Sequence, residues 1–119
     1  MAGMKNDFGG HDNHVTDNIY AYAGQAVGAS INMLAGHEDI FTGNKAVLTG
    51  VSVGGQNCNG PAKTQMGNNE YYTSTGSIQE CSTDLSKWQQ AGNDKGSTVG
   101  KFPADETIIG WAKSKLSIN

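Results

Sequence analysis

The feature that most constrains this chain is an internal repeat. Residues 36–54 match residues 10–28 at a shift of 26 positions, with no gap. Gly10 meets Gly36, His11 meets His37, Asp12 meets Glu38, Thr16 meets Thr42 and Asn18 meets Asn44. Gly24 with Gly50, Val27 with Val53 and Gly28 with Gly54 complete the match. A third, weaker copy runs through "MGNNEYY", where Asn68 stands 24 residues after Asn44. Repeats of this length mark supersecondary units that stack on their neighbours.

Several repeat architectures have such a period. Leucine-rich repeats need a leucine framework, which is absent. Helical repeats need apolar residues at a spacing of 3.6, and the Gly and Asn content works against helices. Short strands remain: "HVTDNIYAY", "DIFTGNKAVL", "NEYYT" and "GSIQE" are rich in β-branched and aromatic residues and punctuated by Gly, Asn and Asp. One parallel strand set per repeat predicts an all-β fold, a right-handed parallel β-helix of about three coils. Asn18, Asn44 and Asn68 would stack at one corner, where left-handed backbone angles suit Asn. The chain reads as a single domain, with coils over residues 9–81 and a C-terminal capping segment over 82–119. "STDLSKWQQAG" predicts a short helix, capped by Ser82 or Thr83 with Asp84 in the first turn and Gly92 at its end. "GNDKGSTVGKFP" reads as a loop. "ADETIIGWAKSKL" predicts a second helix with Ile108, Ile109, Trp111, Ala112 and Leu116 on a buried face. A solenoid leaves an apolar end, and Trp88 and Trp111 are candidates to cover it.

Composition limits the core and the partners. Apolar residues are 36% of the 119, and 17 are Gly, which suits a thin interior with many turns. All eight cations are lysines, the net charge is −3, and no basic run exists, so nucleic acid is not an expected partner. No apolar run is long enough to span a bilayer, so no membrane association is expected. The opening "MAGMKND" does not read as a signal peptide.

The stacked "xGN" corners followed by "DLSKWQQAGNDKGS" resemble the last coils of secreted right-handed parallel β-helix proteins of the pectate-lyase-like superfamily. The similarity runs from about Gly9 to Leu116 and is clearest from Leu85 through Trp88 to Gly92, Asp94 and Ser97. It implies a secreted protein in a polysaccharide setting. The family's catalytic signatures are missing: there is no arginine to act as lyase base, and "GHDN" and "GHED" carry only the Gly-His of the hydrolase pattern. Two functional classes follow. One is a non-catalytic structural or glycan-binding module, favoured for this chain. The other is a polysaccharide lyase or glycoside hydrolase, or its C-terminal portion, using a stacked His/acid cluster.

That cluster comes from the repeat. At a strand spacing of about 4.8 Å, His11 would lie over His37 and Asp12 over Glu38, which makes these four the candidate catalytic residues. Stacked carboxylates repel and need compensation. A raised pKa, a bridging Ca²⁺ on Asp12 and Glu38, a charged imidazole or a transition metal held by the His/acid set would each serve. The competing reading is two solvated turns in which repulsion is screened. His14 aligns with Ile40 and reads as half-buried. Tyr20, Tyr22, Tyr71 and Tyr72 are candidates for stacking on sugar rings, or for packing between coils. Cys58 and Cys81 stand 23 residues apart, near one repeat, and are expected to form a disulfide. The first coil has no cap of its own, so a homodimer or a second chain is expected at the N-terminal end, with residues 6–14 in the interface.

Overall fold

The computed structural model describes residues 2–4, 12–27, 35–54, 58 and 62–117. In chain order the strands are β1 (Ala2–Met4), β2 (His14–Thr16), β3 (Ile19–Ala23), β4 (Gln25–Val27), β5 (Ile40–Thr42) and β6 (Lys45–Leu48). There follow β7 (Gln65–Gly67), β8 (Glu70–Thr73), β9 (Gln79–Glu80), β10 (Thr83–Asp84), the helix α1 (Leu85–Gln90), β11 (Thr98–Lys101) and the helix α2 (Asp105–Lys115). β2 to β7 are short because Gly, Asn or Asp bends the chain again within one or two residues of their ends.

The expected β-helix is not what this chain builds. Among the described residues the strands divide into separate sheets of four, three, two and two strands, not one winding ladder. The four-stranded sheet runs β11-β8-β6-β3 and the three-stranded sheet β2-β5-β7, both parallel. β1 pairs with β4 in parallel, but β9 and β10 are antiparallel. Elsewhere among the described residues there are single bridges, at Val27–Gly54, Ser52–Gln79 and Gly67–Lys95. Beyond these bridges no pairing carries one sheet into the next among the described residues. The β9–β10 hairpin and α1 also interrupt the repeat before its last strand.

Within the sheets the repeat sets the register. Ile19 faces Lys45, Lys45 faces Glu70 and Glu70 faces Thr98, at separations of 26, 25 and 28 residues. The last row was missed in the sequence, because "TVGK" is broken by Gly100 and follows the α1 insertion. Ala26, Val27, Phe41, Ala46, Leu48, Val53, Tyr71, Ile78 and Leu85 form one buried cluster. Residues 46 and 48 of β6 face it, so Lys45 and Val47 face the other side. Val47 is fully buried all the same, because α2 lies over that face. Trp111 packs on Tyr72 at 5.3 Å and under the Lys45 ammonium at 5.1 Å. Trp111 of α2 thus lies on the face of the sheet that carries Lys45 and Tyr72. On α2 Ile108 is buried, whereas Ile109 is 53% and Leu116 68% exposed.

Side-chain amides tie the rows together. Asn18 N–H donates to Asn44 Oδ1 at 2.8 Å, Asn44 N–H to Asn69 Oδ1 at 2.9 Å, and Asn69 N–H to Ser97 Oγ at 2.8 Å. The third member is thus Asn69, not Asn68. Asn68 instead joins Asp17, Gly43 and Gly96 in a row of left-handed residues, with φ of 53°, 56°, 70° and 79° respectively. A side chain at Gly43 would strike the Asp17 carboxylate, and one at Gly96 the Asn68 amide, so an acid or amide alternates with Gly.

Candidate functional site

Register explains the site. Two residues before the paired positions His14, Ile40 and Gln65 stand Asp12, Glu38 and Lys63. Three charged residues therefore begin three successive rows. Asp12 N–H donates to the His37 carbonyl at 2.9 Å, and the Asp12 carboxylate meets His37 Nδ1 at 2.8 Å. The Glu38 carboxylate accepts from Gly36 N–H at 3.0 Å. That bond holds its pKa below the usual carboxylate value; its own backbone N–H and His37 add to the effect, and the Asp12 charge opposes it. Behind them Asp39 is fully buried and accepts from both Asn13 N–H and Asn13 Nδ2, at 2.8 and 3.0 Å.

The compensation for neighbouring acids is thus a partner imidazole and backbone N–H groups. Among the described residues no group of three or more His, Cys, Asp or Glu could hold a metal ion, so the Ca²⁺ expectation at Asp12 and Glu38 gains no support. His11 lies outside the described residues. His14 pairs with Ile40 as aligned, but it is exposed, not half-buried.

The four tyrosines do not form one platform. Tyr71 is fully buried, and its hydroxyl donates to Asp94 at 2.8 Å; burial above all pushes its pKa well up. Tyr20 stacks on Phe41 at 6.1 Å beside the core. Tyr72 lies under Trp111 and donates to Glu70 at 2.7 Å; burial and that bond raise its pKa to about 12. Tyr22 alone is largely exposed, set edge-on to Phe102 and donating to Asp105 at 2.7 Å.

Away from these tyrosines, an open groove lies beside Glu38. It has a volume of about 420 Å³. Glu38 and Lys63 line it at the row starts, Gln65 and Met66 of β7 continue it, and Trp88 and Asn93 form the facing wall. Trp88 sits on α1, whose ends are fixed from two sides. On one side Cys58 and Cys81 form the expected disulfide, with Cα atoms 5.7 Å apart. On the other, Gln89 Nε2 donates to the Asp94 and Ser97 carbonyls at 2.9 and 2.7 Å, and Asn93 N–H donates to the Trp88 carbonyl at 3.2 Å. Asp94 is held in turn by Tyr71, Asn69 and Ser97. The sequence pointed to Glu38 and to Trp88 separately, but not to their meeting. Lys63 was hidden because the third repeat was aligned one residue out.

No family model, curated protein or solved structure matches this chain. The disulfide is consistent with an extracellular protein, and no described helix is long and apolar enough to cross a membrane.

Proposed function

We propose that this protein is an extracellular, non-catalytic module that binds polysaccharide in the groove between Glu38 and Trp88. One observation carries the reading: a partly buried indole flanks an open groove whose other wall is polar. A pyranose ring has an apolar C–H face and a rim of hydroxyls. An indole offers the first a broad apolar surface. Carboxylate, amide and ammonium groups satisfy the second, directly or through water. Glu38, Lys63, Gln65 and Asn93 supply both acceptors and donors. A polar open groove suits a solvated chain better than an apolar small molecule.

The enzymatic alternative rests on the Asp12–His37 pair beside Glu38. Both members of that pair are more than half exposed, so they lack the dry surroundings that tune acid–base groups. The binding reading is tested by affinity electrophoresis in gels containing soluble polysaccharides. The protein is expected to be retarded by at least one of them, and Trp88→Ala to migrate as in the blank gel. Retardation unchanged by Trp88→Ala would reject the groove. Release of reducing ends or unsaturated products would favour the enzyme.

A further inference from the structure

Resting on that reading, we infer that the groove takes a neutral polysaccharide chain and discriminates against polyuronates. Glu38 and Lys63 line it at the starts of successive rows, each two residues before its strand, and Asp12 begins the row beyond Glu38, outside the lining. A homopolyuronate carries a carboxylate on every ring. Laid in the groove, it meets the Glu38 carboxylate beside the single Lys63 ammonium, so at most one of its charges is offset. The Glu38 carboxylate lines the groove and is fixed there by the Gly36 N–H. The Asp94 side of the groove adds no cation: its carboxylate is buried and accepts from Tyr71, Ser97 and Asn69.

A neutral ring meets no such conflict. Vicinal hydroxyls can donate to Glu38 and accept from Lys63, while Gln65 and Asn93 each offer one donor group and one acceptor. The facing charges also suit each other when no ligand charge intervenes. The groove is thus zwitterionic in layout, and it recognises hydroxyl arrays more readily than a charged polymer. A cationic amino-sugar chain would be drawn to Glu38 but would meet Lys63 in the next row.

The test uses the intact oxidised chain and fluorescence titration, with Trp111→Phe as background so that Trp88 reports alone. The probes are cellohexaose, mannohexaose, xylohexaose and laminarihexaose, against hexagalacturonate and a chitosan hexamer at equal ionic strength. At least one neutral hexamer is expected to bind at least about tenfold more tightly than hexagalacturonate and the chitosan hexamer. Glu38→Gln is expected to weaken the neutral ligand and to narrow or close the gap to hexagalacturonate. If hexagalacturonate binds as well as the neutral hexamers, and calorimetric titration, which needs no reporter indole, shows Trp88→Ala to bind neither, the groove stands as a glycan site and the inference of neutrality falls. Preferred binding of the chitosan hexamer overturns it equally. If none binds, the glycan reading falls and takes this inference with it.

Discussion

Single side chains hold neighbouring rows together more firmly than their polarity suggests. Asn44 is buried and accepts from Asn18 N–H, while its amide donates to the Val15 carbonyl at 2.9 Å and to the Thr42 carbonyl at 3.2 Å. Replacing it with Ala leaves buried donors and acceptors without partners, at a cost of about 1–3 kcal/mol for each such group. Asn44→Asp is expected to be worse than Asn44→Ala, because a carboxylate would face the Val15 and Thr42 carbonyls. Urea midpoints check the order; an Asp variant as stable as wild type would refute the ladder's role. Tyr71 gives a pH-dependent case. Its hydroxyl stays protonated in the folded chain above the usual value of 10. Its stabilisation is therefore full below about pH 10 and is lost as pH rises further, since the unfolded chain then binds fewer protons. Tyr71→Phe should cost about 1–3 kcal/mol at neutral pH, because Asp94 loses a donor. The gap to wild type should narrow between pH 10 and 11, and a constant gap over that range would contradict this account.

At the scale of elements, both helices depend on what lies beside them. α1 has six residues, no side-chain cap and one buried residue, Leu85. Closing the 23-residue separation between Cys58 and Cys81 contributes about 3 kcal/mol in the chain-entropy picture. Reduction is expected to lower the melting temperature and to speed amide exchange in α1 ahead of β6 and β8. Uniform loss of protection would show that the bond does not serve α1 in particular. α2 is docked by Trp111 on Tyr72 and by Lys45, which is also paired with Glu70. Lys45 and then Tyr72 hold the Glu70 carboxyl below its usual 4.5. That contribution is present above pH 4.5 and is lost as pH falls through the lowered value. In a Trp88→Phe background, Trp111 emission should therefore shift to the red in acid before the sheets unfold; a shift that coincides with global unfolding would refute it. The contrast between these elements shows what the sequence could reveal. Period, parallel pairing partners, the disulfide and both helices follow from local pattern and spacing. The separate sheets do not, because whether short strands join depends on insertions and bridges that carry no periodic signal. The groove was illegible for a related reason: Trp88 and Lys63 meet only because α1 folds back beside β7.

The whole molecule measures 43 × 28 × 24 Å, with a radius of gyration of 14.0 Å, close to the roughly 13.5 Å of a compact domain of this length. Its two largest sheets end at the same stretch of chain. β2 and β3 are both edge strands among the described residues, so His14–Thr16 and Ile19–Ala23, close together in the chain, each leave one edge unpaired there. The third strand of that row is not exposed in the same way, because Ala2–Met4 adds to β4 in parallel. The expectation that the first coil has no cap of its own is corrected for that strand alone. Ile19 and Tyr20 on the open strand are only partly buried, and such an edge is prone to pair with another chain. A second copy related by a two-fold axis would close it without leaving a new edge, whereas head-to-tail stacking would always leave one. The expected solution mass is therefore twice 12.5 kDa. Light scattering across a dilution series gives that mass, and amide exchange at residues 14–23 should speed up on dilution as dimers part. A mass of one chain at the highest concentration, with exchange at these residues independent of dilution, would mean that the edge is closed within the monomer.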